Sequence, residues 1–238
     1  MRLHARGRDD GRGAPSRRAV TGDTQRPNIS DVRRVAESFS WPFRARPSTW
    51  IWGIVSVVLL PLMFVPLLGY AISATRSAEL DPDAGPPPWR FSFAHFWAGG
   101  WIFLLLAVLA APFAALLKPV ADWLSPVTHD FAYVFVVLVL ALPWGLVMLL
   151  LVPHATAAFA SSGDPHDLFD VAASLRGVRS DFATWNAVVA AIVTAWAIGV
   201  ACAALFCVGL APGAFYAILV SAHATASLHP EAARSSAR

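Results

Sequence analysis

ATWNAVVAAIVTAWAIGVACAALFCVGLAPGAFYAILVSAHATASL, from Ala183 to Leu228, is the stretch whose reading decides the fold. These 46 residues are apolar throughout, and only Gly209-Leu210-Ala211-Pro212-Gly213 interrupts them. A helix rises ~1.5 Å per residue and a hydrocarbon layer is ~30 Å thick, so about 20 apolar residues make one crossing. The block therefore predicts two transmembrane helices, near residues 184–208 and 213–228, joined by a tight turn. Small residues recur every fourth position: Ala191, Ala195, Gly199, Ala203 and Cys207 before the turn, then Gly213, Ala217, Ser221 and Thr225 after it. Lipid tails give no hydrophobic drive for helix association, so two smooth stripes that let backbones approach closely are a main source of cohesion.

Upstream lie three more apolar runs. Trp50 to Ala74 reads as a first span, tilted and kinked by Pro61 and Pro66, since each proline removes a backbone donor and clashes one turn back. Phe93 to Leu117 reads as a second span, smoothed by Gly99 and Gly100, and Phe131 to Val152 as a third, with Pro143 in its middle. The expected fold is an all-α, polytopic transmembrane helix bundle of about five spans, or four if the last helix, at 16 residues, falls short of the hydrocarbon core. Composition agrees: 57% of residues are hydrophobic and 14% charged, with mean hydropathy +0.57, against roughly 45–50% and 25% in soluble domains.

Two amphipathic segments flank the spans. Asn28 to Ser40 carries Val32, Val35, Ala36 and Phe39 on one face, with Ser30 as N-cap; Leu168 to Phe182 carries Val171, Leu175 and Val178, with Asp164 as N-cap and Pro165 opening the helix. Both are expected to lie on the membrane surface. Trp41, Trp50, Trp52, Trp89 and Trp97 are expected as interfacial anchors, because indole favours the headgroup layer. The Pro-rich connector Asp81 to Trp89 reads as too stiff and polar to be buried. Residues 1–27 form an Arg-rich tail without apolar periodicity, expected to be disordered and cytoplasmic; residues 28–229 form one helical membrane domain, and 230–238 a short polar tail.

Charge is distributed unevenly. Seventeen of the eighteen basic residues are Arg, which with the abundant Ala suggests a GC-rich bacterial genome, and eleven of them precede Thr49. Beside a membrane span such a tail reads as a topogenic signal or an attraction to anionic lipid, and no nucleic-acid partner is expected. With five spans, twelve basic residues fall on the amino-terminal side and six on the other, which places the amino terminus in the cytoplasm of a bacterium. The first 48 residues hold no apolar core, so no cleavable signal peptide is expected.

Few residues offer chemistry. His223, in Ser221-Ala222-His223-Ala224-Thr225, is the one ionisable group in the middle of an expected span, and with Ser221 and Thr225 it is the candidate functional polar site. A neutral His satisfied by a backbone carbonyl or a hydroxyl explains it equally well. His95, His129 and His154 lie near span ends, where they can reach water. Asp164, His166, Asp167 and Asp170 form the one polar cluster, which a capped helix start explains without a metal. Cys202 and Cys207 lie about 140° apart on one helix and cannot bridge. Without a phosphate loop, nucleophile elbow or His-Glu-x-x-His helix, no catalytic residue, cofactor or metal is expected.

Several landmarks, taken in order, resemble the family catalogued as domain of unknown function 4013. They are Phe39-Ser40-Trp41-Pro42-Phe43 ahead of Trp50, Leu67-Leu68-Gly69-Tyr70, Pro88-Trp89 leading to Phe96 and Gly99-Gly100, Phe169-Asp170, Leu175-Arg176, and Pro212-Gly213-Ala214-Phe215-Tyr216 running to Ser221-Ala222-His223. The resemblance covers about Asp31 to Leu228. Members tend to have acids after the Pro-x-Trp element, whereas this chain has Arg90-Phe91-Ser92. The resemblance implies a prokaryotic multi-pass protein of the cytoplasmic membrane and carries no activity with it. The resulting expectation is a non-enzymatic membrane scaffold, lipid-contact protein or accessory subunit. Its partners would be the bilayer and either further copies of itself or another membrane subunit. The alternative is a small transporter or channel subunit using the kinked spans and His223.

Overall fold

The computed structural model describes residues 29–128, 131–205 and 209–228. Among these every regular element is helical: α1 (Ile29–Glu37), a 3-10 turn (Trp41–Arg44), α2 (Pro47–Val58), α3 (Leu60–Leu80), α4 (Phe93–Thr128), α5 (Ala132–Ser162), α6 (His166–Phe169), α7 (Val171–Ser180), α8 (Phe182–Leu205) and α9 (Leu210–Ala226). Three stretches are long and apolar enough to cross a membrane: Phe93–Pro126, Tyr133–Ser162 and Phe182–Cys202.

The expected first span is not one crossing. The helix stops at Leu59 (φ −91°, ψ 30°), and Pro61 opens a new helix instead of kinking an old one. The chain then folds back. The Phe215 ring lies flat on Gly53 of α2, 5.5 Å from the Trp50 ring and 6.1 Å from the Tyr70 ring of α3. Residues 50 and 70 would be ~30 Å apart on a continuous helix. Thus α2 and α3 form a short hairpin.

Two further hairpins point the same way. α4 runs antiparallel to α3: its Gly99 and His95 sit on Val65 and Gly69, and Phe103 meets Phe64. α4 continues another 25 residues to Thr128, ~37 Å as a helix, and so projects well past the start of α3. α5 returns beside it, with Phe113 against Trp144. Expected to end at Leu117, α4 instead runs through Pro119, held by an i,i+4 ion pair of Lys118 Nζ with Asp122 Oδ2 at 2.6 Å. α8 and α9 form the third hairpin. Tyr70, Ala74 and Ala78 of α3 pack with Phe215, Leu219, Ala222 and Ala226, so α3 and α9 run parallel.

The open ends of all three hairpins gather at one pole. There α1 places Val35 against Val188, Ala191 and Ala224, and Phe39 against α8 and α9. α7 buries Val178 and brings Gly177 onto the His154 ring of α5. The two amphipathic helices expected on the lipid surface therefore place part of their apolar faces on protein, through Val35, Leu168 and Val178, while Val171 and Phe182 stay exposed. α1 begins at Ile29, ahead of Ser30, and the second helix is split at Asp170, whose carboxylate caps α7 by accepting from the Ala173 amide at 2.8 Å. Asp164 accepts from the His166 amide at 2.9 Å in front of the short α6.

The other pole of the α4–α5 hairpin is bare. Leu142 is 79% exposed, Trp123 77% and Phe131 74%. Apolar surface on this scale has no stable place in water. The packed polar pole and the naked apolar hairpin make the molecule strongly two-ended.

Candidate functional site

Two features stand out: a clasp of hydrogen bonds at the packed pole, and an apolar cavity below it.

The clasp forms around the connector Asp81 to Trp89. Four of its nine residues are proline and lack an amide proton, so burying it requires partners chiefly for its carbonyls. Four side chains from three elements supply donors in turn. His223 Nε2 of α9 approaches the Pro82 carbonyl at 3.4 Å, the Arg44 guanidinium donates to the Asp83 carbonyl at 2.9 Å, the Trp41 indole to Ala84 at 2.6 Å and the Tyr70 hydroxyl to Pro87 at 2.9 Å. Arg44 also faces the Asp83 carboxylate at 3.8 Å, and Gly85 lies against the Arg44 backbone. The connector, expected to be solvated, is instead a bound strap.

His223 is 3% exposed, and its Nδ1 lies 2.8 Å from Ser38 Oγ. Since a carbonyl only accepts, the contact with Pro82 assigns the ring proton to Nε2, leaving Nδ1 to accept from the Ser38 hydroxyl. The Trp41 ring packs against it, tilted by 44°, with ring centroids 5.0 Å apart. His223 is thus a satisfied neutral ring that ties the amino-terminal segment, the strap and the last helix together. Two residues apart on a helix diverge by about 200°, and Ser221 and Thr225 face away from it, into the cavity. The expected His223–Ser221–Thr225 site is therefore divided.

The expected anchors divide too. Trp52 and Trp97 are exposed, whereas Trp41 is buried, and Trp50 and Trp89 are half-buried against Phe215. Trp50 donates to the Pro42 carbonyl at 3.2 Å, and Tyr216 to Phe39 at 3.0 Å. These aromatics form a plug in which Trp41, Trp50 and Tyr216 each reach an irregular carbonyl, while the buried Trp89 indole nitrogen has no hydrogen-bond partner among the described residues.

Of the expected packing stripe, Ala191, Ala195, Gly199, Gly213 and Ala217 are buried between α8 and α9. Gly199 and Gly213 meet backbone to backbone: a Cβ on either would come within 2.9 Å of the other's carbonyl oxygen. Cys207 and the side chain of Ala203 lie outside the described residues, as does His129. His154 is buried on α5, and His95 donates from Nδ1 to the Arg90 carbonyl at 2.6 Å. Among the described residues, no three His, Cys, Asp or Glu side chains converge as metal ligands.

Polar groups freed by helix breaks find partners. Pro153 cannot donate to the Leu149 carbonyl, and the Trp185 indole of α8 does so at 3.3 Å. Near the end of α5, Arg76 Nε donates to the Ala160 carbonyl at 2.6 Å, a cation at a helix C-terminus. One turn from Arg76, in the polar last turn of α3, Glu79 has Oε1 buried without a hydrogen-bond partner. Desolvation pushes its carboxyl up to about 7, against the opposing pull of Arg76.

The cavity, about 600 Å³, lies between α3, α4, α5, α8 and α9 and is open on one side. Leu68, Ile72, Ile102, Met148, Trp196 and Ile218 line it. The hydroxyls of Thr75, Thr156 and Ser221 donate to carbonyls of their own helices, at 3.0, 2.7 and 2.7 Å, so they offer the space little polarity.

Fold and site together define an all-helical protein with three helices long and apolar enough to cross a membrane. No family model matches the chain, and no curated protein and no solved structure matches it.

Proposed function

We propose that the chain is an integral protein of the bacterial cytoplasmic membrane that enters the bilayer as three hairpins from the cytoplasmic side. In this reading it is a non-enzymatic scaffold, lipid-contact protein or accessory subunit. The carrying observation is the far part of the α4–α5 hairpin, a long apolar stretch left largely uncovered by protein. Its landmarks match a bilayer: exposed Trp97 and Lys118 are 21 residues apart, ~31 Å of helix against a ~30 Å hydrocarbon layer.

The hairpin arrangement sharpens the charge argument. In place of a twelve-to-six split across five spans, the described Arg residues, Arg33, Arg34, Arg44, Arg46, Arg76, Arg90, Arg176 and Arg179, belong to the pole where the first and last described residues lie, and Lys118 belongs to the far tip. The positive-inside rule then favours a cytoplasmic pole, with amino and carboxy termini on the same side. The resemblance to the domain of unknown function 4013 family accords with this placement.

Extraction in native lipid discs followed by mass spectrometry tests the reading. A stoichiometric membrane partner or an enriched lipid is expected; a bare protein that moves solute across liposomes would replace it with the transporter reading. The half-open cavity beside Pro153 and the break at Leu59 favour that second reading, although His223, outside the cavity lining, would have no part in it.

A further inference from the structure

We propose that the cavity holds one long hydrocarbon chain of a bilayer amphiphile, an inference that rests on the membrane reading above. Its shape suits one chain. Along α3 the lining runs from Leu60 to Thr75, fifteen residues or ~22 Å of helix. With a volume of about 600 Å³ drawn out along that length, the space is elongated, as an alkyl chain requires. With ~1.5 Å carbon–carbon bonds at tetrahedral angles an extended chain advances ~1.25 Å per carbon, so ~22 Å takes about 17 carbons.

The lining rules for a chain over water. Ordered water needs two to four polar partners, and an apolar cavity without them stays dry or takes an apolar guest. Here the hydroxyls of Thr75, Thr156 and Ser221 are already bonded to their own helices, which leaves Thr225 as the one other hydroxyl side chain in the lining, fewer partners than an ordered water needs.

Access also suits a lipid. Packed helix pairs α3–α4, α4–α5, α3–α9 and α8–α9 bound the other sides, whereas α5 and α8 pack sparsely beside the Trp185–Leu149 hydrogen bond. Met148 and Trp196 border this seam, flanked by the exposed side chains of Leu146, Val147 and Val193. A chain can slide in sideways from the bilayer without crossing water.

The test uses the full-length protein in discs of phosphatidylethanolamine and phosphatidylglycerol. A 16-carbon fatty acid with a diazirine near its terminal methyl is added in one run, and a phospholipid carrying the same chain in another. After illumination, labelled peptides are mapped. At least one probe is expected to label Met148–Thr156 and Ile192–Trp196 five-fold or more above Tyr133–Leu142, which faces bulk lipid, and to saturate at one per protein. Whichever probe saturates identifies the source of the chain. Filling the space by Ala71→Phe or Ala214→Phe should cut cavity labelling at least five-fold. Equal, unsaturable labelling of the cavity and of Tyr133–Leu142 overturns the proposal, and the wild-type protein alone decides this if the filled variants do not fold. Absence of label from Tyr133–Leu142 as well overturns the membrane reading itself.

Discussion

The crossing of α3 and α4 rests on two glycines, and adjacent positions offer a built-in control. A Cβ on Gly69 would collide with the His95 carbonyl of α4, and one on Gly99 with the Val65 carbonyl of α3. Both obstacles are backbone, so no side chain can swing aside. Gly100, one residue along, has nothing within 4 Å of where its Cβ would sit. Relieving the Gly69 collision to an ordinary contact requires the helices to part by roughly 1.5 Å, which loosens the cluster of Ile72, Ile102, Leu105 and Phe159 as well. Overpacking typically costs ~1–3 kcal/mol, and a clash between two helix backbones belongs at the upper end, so Gly69→Ala is expected to lose about 3 kcal/mol. Gly100→Ala should be neutral or stabilising by up to ~1 kcal/mol through helix propensity. Reversible unfolding in mixed detergent micelles, followed by circular dichroism and Trp fluorescence, measures both. Equal stability of Gly69→Ala and wild type, or equal damage from Gly100→Ala, would refute the close crossing.

Three further outcomes are expected. Ser38→Ala and His223→Ala should each loosen the amino-terminal segment by ~1–2 kcal/mol and speed tryptic cleavage at Arg33 and Arg34, with a double-mutant coupling of ~1 kcal/mol; additive effects would remove the clasp bond from the account. Glu79 has a folded-state value of about 7, above the ordinary 4.5, so the folded state binds a proton more tightly than the unfolded one. Stability should fall as pH rises from about 4.5 to 7, by about 1 kcal/mol after allowance for solvent screening, and Glu79→Gln should flatten that slope. Trp185→Phe keeps the ring but strands the Leu149 carbonyl beside Pro153; a loss of ~1–3 kcal/mol in the same unfolding assay is expected, and none would mean that the carbonyl is satisfied otherwise.

Helical class and the α8–α9 seam were legible in the sequence for a physical reason: apolar length sets a crossing, and small residues at every fourth position mark one face of one helix. The reversal at Leu59 was not. Both arms of the α2–α3 hairpin are apolar, so hydropathy runs unbroken through the turn, and Pro61 looks the same opening a helix as kinking one. α4 outlasted its expected end because the Lys118–Asp122 pair reads as a polar connector until the two charges are placed one turn apart. The amphipathic faces of α1 and α7 were correctly located along the chain, but a period of 3.6 says only that a face is covered, not whether lipid or protein covers it. His223, Ser221 and Thr225 were close in sequence and separate in space for the same helical reason that excluded a Ser–His pair. The clasp had one readable signal, the four prolines between Asp81 and Trp89, whose carbonyls demand donors once the strap is buried.

Three hairpins bring the first and last described residues to one pole, and reporter fusions in bacterial cells test that arrangement most directly. A reporter active only in the cytoplasm, fused after Arg238 or ahead of Met1, is expected to be active in both positions, while a periplasmic reporter inserted beside Trp123 should be active at the α4–α5 tip. Activity of the two terminal fusions on opposite sides of the membrane would contradict the hairpin fold and restore an odd number of crossings.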